Sequence, residues 1–156
     1  MKALESCVCL KGKVVKGFQR GSKLLGWPTA NLDPKAFENK IDHLDQGVYF
    51  GLAKIATHEK VFKTALSVGW NPHFKNKEKT VEAYLVNEFK EDFYGVEMRL
   101  MIVGHVRPQI PFDGLESLKK AIQGDVDATV QVLELQKYAK LYTDDFFSDS
   151  TAKSQL

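Results

Sequence analysis

Short apolar stretches rich in β-branched and aromatic residues recur along the first two thirds of the chain, separated by polar connections. The clearest are Val14-Val15, Val48-Tyr49-Phe50-Gly51-Leu52, Val61 to Val68, Val81 to Val86 and Val96 to Val106. In the last, Val96, Met98, Leu100 and Ile102 fall on one face and Glu97 and Arg99 on the other. That period of two is the pattern of a half-buried strand. The connections carry turn chemistry: Asp45-Gln46-Gly47, Asn71-Pro72, Lys75-Asn76-Lys77 and Tyr94-Gly95. Strands so spaced, with no helical stretch between them, predict an antiparallel barrel rather than a sandwich or a parallel sheet.

The period changes in the last third. Asp113-Gly114-Leu115-Glu116 reads as an N-cap with its reciprocal acid, and Leu115, Leu118 and Ile122 then mark one helical face. Gly124 is expected to end this helix, and Asp125 to cap a second one carrying Val126, Val130 and Leu133. The expected organisation is a single all-β core with C-terminal helices over residues 1–142. A polar tail follows over 143–156, interrupted by Phe146-Phe147, with its final residues mobile. No internal repeat or low-complexity tract occurs.

Composition narrows the function classes. In 156 residues, 22 Lys and Arg face 20 Asp and Glu, a balance too even for a dedicated nucleic-acid binder. The 44% hydrophobic content supports a buried core. No apolar run approaches the roughly 18 residues that a membrane crossing needs. Cys7 and Cys9 are too few for a disulfide framework or a zinc site, and are read as reduced thiols. The acid-containing N-terminus does not read as a signal peptide, so the expected compartment is the cytoplasm. Ser154-Gln155-Leu156 lacks the basic middle residue of a peroxisomal address.

Three groups of residues are candidates for chemistry. The stretch from Gly17 to Asn31 places three glycines and two cations, Arg20 and Lys23, within ten residues after the Val14-Val15 strand. Glycines let backbone N–H groups converge on a phosphate, although such a loop also serves as a plain surface connection. Trp27-Pro28 stands where a Walker loop would place Lys-Ser/Thr. Thr29 and Asn31, two residues apart in an extended segment, project to one side and can offer two oxygens to a hard cation. A local turn bond after Pro28 is the competing use. Glu82 alternates with the apolar Val81, Ala83 and Leu85 and shares its face with Tyr84 and Val86. Held on a rigid strand, it can take a proton from an alcohol, or it is simply an exposed strand acid. His43, His58, His73 and His105 have no metal-ligand spacing, and there is no nucleophile elbow or dinucleotide fingerprint.

Taken in order, these stretches resemble the riboflavin kinase family. The resemblance rests on Val15-Lys16-Gly17-Phe18, Arg20-Gly21-Ser22-Lys23, Pro28-Thr29-Ala30-Asn31 and Gly47-Val48-Tyr49. It continues through Ser67-Val68-Gly69-Trp70-Asn71-Pro72, Val81-Glu82, Phe89 to Gly95, Arg107-Pro108 and Phe112 to Leu118, as far as about Leu135. It implies a six-stranded antiparallel Greek-key barrel and transfer of the ATP γ-phosphoryl to the 5′-hydroxyl of riboflavin, giving FMN and ADP.

By the same resemblance, Glu82 is the catalytic base. Thr29 and Asn31 hold magnesium, with zinc or manganese as alternative ions. Gly17, Lys23, Thr29, Leu85, Asn87 and Tyr94 meet the nucleotide. Arg107, Ile110 and Phe112 belong to the loop that covers the flavin; Gln109-Ile110-Pro111 is more apolar than the family pattern, so Ile110 is expected to act through its backbone. The implied partners are riboflavin, FMN, ATP and ADP, with no nucleic acid or membrane and a monomeric state. No His-x-Gly-His motif of an adenylyltransferase is present, so the expected product is FMN. A non-enzymatic flavin-binding barrel is the alternative reading, and an oligonucleotide-binding barrel would need basic and aromatic residues interleaved along adjacent strands.

Overall fold

Buried and part-exposed positions alternate from Thr80 onward along Lys79–Leu85, whose Val81, Ala83 and Leu85 face inward. This strand is one of several in the computed structural model, which describes residues 1–15, 29–33, 39–70, 79–86 and 94–148. The described strands are β1 (Lys2–Val15), β2 (Thr29–Leu32), β3 (Gly47–Ile55), β4 (Phe62–Trp70), β5 (Lys79–Leu85) and β6 (Glu97–Pro108). All pair antiparallel and close into a barrel in the order β1-β2-β5-β4-β3-β6. Because β3, β4 and β5 are successive neighbours while β6 returns beside β3, the connectivity is a Greek key. The expected barrel is therefore the observed one.

Two strands exceed the sequence expectation. β1 begins at Lys2, well before Val14, because a register shift between Ala3 and Val8 and a mostly exposed first half hide its alternation. β2 has only four residues, too few to show a period. Inside the ring, Leu10, Val14, Leu32, Leu66, Val81, Leu85, Leu100 and Ile102 join one apolar cluster. Ile41 and Leu44 add to it from the turn before β3, where Lys79 Nζ donates to the carbonyls of Ile41, Asp42 and Leu44. At Gly51 the β3 backbone runs so close to β6 that any Cβ would collide with the Met101 carbonyl oxygen. Gly95, with φ 81°, turns the chain into β6, and its N–H donates to Val14 at 2.7 Å.

The helical region differs from the expectation. One uninterrupted helix, α1 (Leu115–Leu133), replaces the two expected, and Gly124 and Asp125 lie in its interior. Leu118, Ile122, Val126, Val130 and Leu133 keep a helical period straight through Gly124, which sits exposed on the opposite side. Burial of that stripe outweighs the roughly 1 kcal/mol that an interior glycine costs. The capping box also fails: Gly114 is the N-cap, and no side chain bonds there. Asp113 stands one residue too early, and Glu116 pairs loosely with Lys119 at 3.7 Å.

α1 covers the outside of β4 and β5 through Ile122 and Val126 against Ala65, Tyr84 and Val86. Its last turn, and two 3-10 turns at Gln136–Thr143 and Asp145–Phe147, cover Phe50, Leu52, Met101 and Val103. This second layer explains why β6 is buried on both faces from Leu100 to Gly104. Its packing continues past residue 142. Phe147 is 4% exposed, and Arg99 holds the carbonyls of Phe146 and Ser148, so the chain to Ser148 is docked on the barrel. The remaining tail, 149–156, lies outside the described residues. Among the described residues no helix is long and apolar enough to cross a membrane.

Candidate active site

Cross-strand register builds the site. Asn31 on β2 lies opposite Glu82 on β5, Glu82 opposite Ser67 on β4, Ser67 opposite Val48 on β3, and Val48 opposite Arg107 on β6. Directly paired residues share a face. The flanking residues Ala30 and Leu32, Val81 and Ala83, and Leu66 and Val68 all point into the core. The row therefore runs along the outside of the barrel, with Asn31 and Glu82 at one end and Arg107 at the other.

Both oxygens of Glu82 are engaged. Tyr84 donates its hydroxyl to Oε1 at 2.7 Å, and Asn31 Nδ2 donates to Oε2 at 3.4 Å. With its NH₂ turned to the carboxylate, the Asn31 amide has its carbonyl oxygen left to offer elsewhere. Burial pushes the Tyr84 phenol far above its ordinary range, with Glu82 and Asp125 acting in the same direction and Arg107 against it. Tyr84 is thus a neutral hydrogen-bond donor. Its backbone pairs with Thr29, whose side chain lies outside the described residues.

At the far end, Arg107 Nε and Nη2 each donate to Asp125 at 2.8 Å, a two-pronged ion pair, while Nη1 reaches the Pro108 carbonyl at 3.2 Å. The guanidinium also lies over the Phe112 ring, 5.5 Å from its centre. Arg107 therefore ties the segment after β6 to α1. Ile110, 46% exposed, stands out from that segment.

The other expected nucleotide contacts fare differently. Leu85 is fully buried, its side chain in the barrel core. Tyr94 packs against the core at the turn that bonds Val14, beside the strand end that pairs with β2. Gly17, Lys23 and Asn87 lie outside the described residues. So do most of the aromatic connections, 71–74 and 89–93.

Three residues of this region escaped the sequence reading. Tyr84 was visible as a neighbour of Glu82 on one face, but its bond was not. Asp125 looked like a helix cap because the glycine before it suggested a break. Ser67 has no local signal, since only register brings it beside Glu82. As for a divalent cation, the donors on hand are oxygens of neutral and anionic groups, which suit magnesium better than a soft metal. Among the described residues no cluster of three or more His, Cys, Asp or Glu could hold a metal.

The chain matches known proteins over nearly its whole length. The flavokinase family model, described as riboflavin kinase, matches residues 4–133. The riboflavin kinase of Homo sapiens is 44% identical over 143 residues, covering 92% of each chain. The bifunctional riboflavin kinase/FMN phosphatase of Arabidopsis thaliana is 49% identical over 137 residues, which cover 88% of this chain and 36% of that longer protein. Among solved structures, riboflavin kinase from Trypanosoma brucei superposes with a TM-score of 0.73 at 27% identity, covering 92% of this chain and 90% of that one. The chain belongs to the riboflavin kinase family.

Proposed function

We propose that this chain transfers the γ-phosphoryl group of ATP to the 5′-hydroxyl of riboflavin, releasing FMN and ADP. The observation that carries the reading is the cross-strand pairing of Glu82 with Asn31, a carboxylate and an amide held side by side on the outer wall of a rigid barrel. Phosphoryl transfer asks a protein for alignment and charge neutralisation more than for covalent chemistry. Glu82 receives the proton of the alcohol as the new P–O bond forms and the bond to the leaving ADP oxygen breaks. Asn31, with Thr29, holds a divalent cation, which neutralises charge on the phosphate oxygens. Gly17 and Lys23 cradle those phosphates, while Asn87 and Tyr94 border the nucleotide. Arg107 holds Phe112 and the Ile110 segment in place over the flavin, its ion pair with Asp125 setting where that cover begins.

The test is FMN formation from riboflavin and Mg-ATP, followed by chromatography. Chelating the divalent ion should stop it. Glu82→Gln should lower kcat by about a hundredfold or more while riboflavin affinity changes little, because the lost group acts in the transition state. A Glu82→Gln enzyme with the parent rate would remove Glu82 as the base.

A further inference from the structure

Next to Glu82 stands a half-buried tyrosine to which the reaction as described gives no task. Tyr84 lies two residues along the same strand, on the same outer face, and donates its hydroxyl to Glu82 Oε1 at 2.7 Å. Its ring is clamped between the sheet and α1, against Ala65, Ile122 and Val126. We propose that Tyr84 is a positioning residue: it pins one oxygen of Glu82, so that the carboxylate keeps the rotamer in which its other oxygen faces Asn31 and the incoming alcohol. The proposal rests on the reading of Glu82 as the base.

The chemistry favours this role over a mere burial of the phenol. A glutamate on a strand face has three rotatable side-chain bonds, and a base must sit within hydrogen-bond reach of the proton it removes. A charge-assisted O–H···O⁻ bond from a ring packed against α1 restrains that geometry without taking the charge away. A phenol that donates to Glu82 carries its own proton and so does not compete for that of the substrate. The clamp itself comes from α1, whose Asp125 also holds Arg107. One helix thus secures both ends of the row, the base through Tyr84 and the flavin cover through Arg107.

The experiment is a double-mutant cycle in the full-length enzyme. Tyr84→Phe keeps the ring and removes only the hydroxyl. We expect kcat to fall about tenfold, the size of one charge-assisted hydrogen bond, with KM for riboflavin and for Mg-ATP within about twofold of the parent. Added to Glu82→Gln, the same change should cost nothing further, since the group it positions is gone. A thermal melt of each variant reports any loss of fold separately. If Tyr84→Phe keeps the parent kcat while Glu82→Gln loses it, the positioning role is wrong and the base assignment stands. An equal loss from Tyr84→Phe in both backgrounds would likewise overturn the proposal, because Tyr84 would then act independently of Glu82. If Glu82→Gln itself keeps the parent rate, the base assignment falls and this inference with it.

Discussion

Asp125 is the residue whose environment says most about the cost of a single change. Its side chain is 8% exposed, on the barrel side of α1, and both of its oxygens accept from Arg107, itself 21% exposed. Removing one member of such a pair strands the other charge in a poorly hydrated place. Asp125→Ala should therefore destabilise the fold by about 3 kcal/mol and free the Arg107–Phe112 segment from the helix. Urea unfolding reads the first effect, and a rise in KM for riboflavin larger than that for Mg-ATP reads the second. A variant within about 0.5 kcal/mol of the parent would show the pair to be dispensable. The local sequence around Asp125 was misleading at this scale. Glycine followed by aspartate is a common way to end one helix and start another, and only the unbroken stripe from Leu118 to Leu133 argues otherwise.

At the scale of elements, α1 carries an avoidable weakness. Gly124 is exposed in its interior, and a Cβ built there meets nothing within 4 Å. Alanine would remove backbone freedom from the unfolded chain at no steric cost. Gly124→Ala should thus stabilise the protein by about 0.5–1 kcal/mol and raise its melting temperature by a few degrees, with activity unchanged. A lower melting temperature would mean that the helix needs a bend there. The strands behaved as their pattern suggested wherever one face was wet, as in β5 and the first half of β6. They were illegible where both faces are dry or where the strand is very short. Met101 and Val103 are buried on the outer face by Leu133, Tyr138 and Phe147, and no period within β6 announces a second layer.

For the molecule as a whole, tyrosines set a limit at alkaline pH. Burial raises the phenols of Tyr49, Tyr84 and Tyr142 above their ordinary value, with help from the charges of Asp45, Glu82 and Glu134 respectively. In the unfolded chain these groups release their protons near pH 10. Between that point and their higher folded values the native state binds more protons than the unfolded one, so stability falls as pH rises. Their contribution is complete below about pH 10 and is lost above it. Cys7 and Cys9, raised by burial from a lower ordinary value, act with the same sign. Urea midpoints measured from pH 8 to 11 should therefore fall, most steeply above about pH 10, and Tyr84→Phe should make the drop shallower. A midpoint flat to pH 11 would contradict the burial of these hydroxyls. At this scale too, the chain from Gln136 to Ser148 packs as an outer wall over β3 and β6, anchored by Arg99.

What the sequence determined alone was the barrel, the kinship with riboflavin kinases and the chemical type of the candidate groups. Strand alternation, turn residues and the Pro-Thr-Ala-Asn stretch are all local, and local patterns survive without a partner. What the tertiary structure decided was who faces whom. Asn31 and Glu82 are 51 positions apart, and only the register of β2 on β5 sets amide against carboxylate. The same holds for Ser67 beside Glu82 and for Arg107 on Asp125. A slip of one residue would turn every one of these side chains to the opposite face, and what forbids it is the burial of the barrel core, a property of the closed ring and of no single segment.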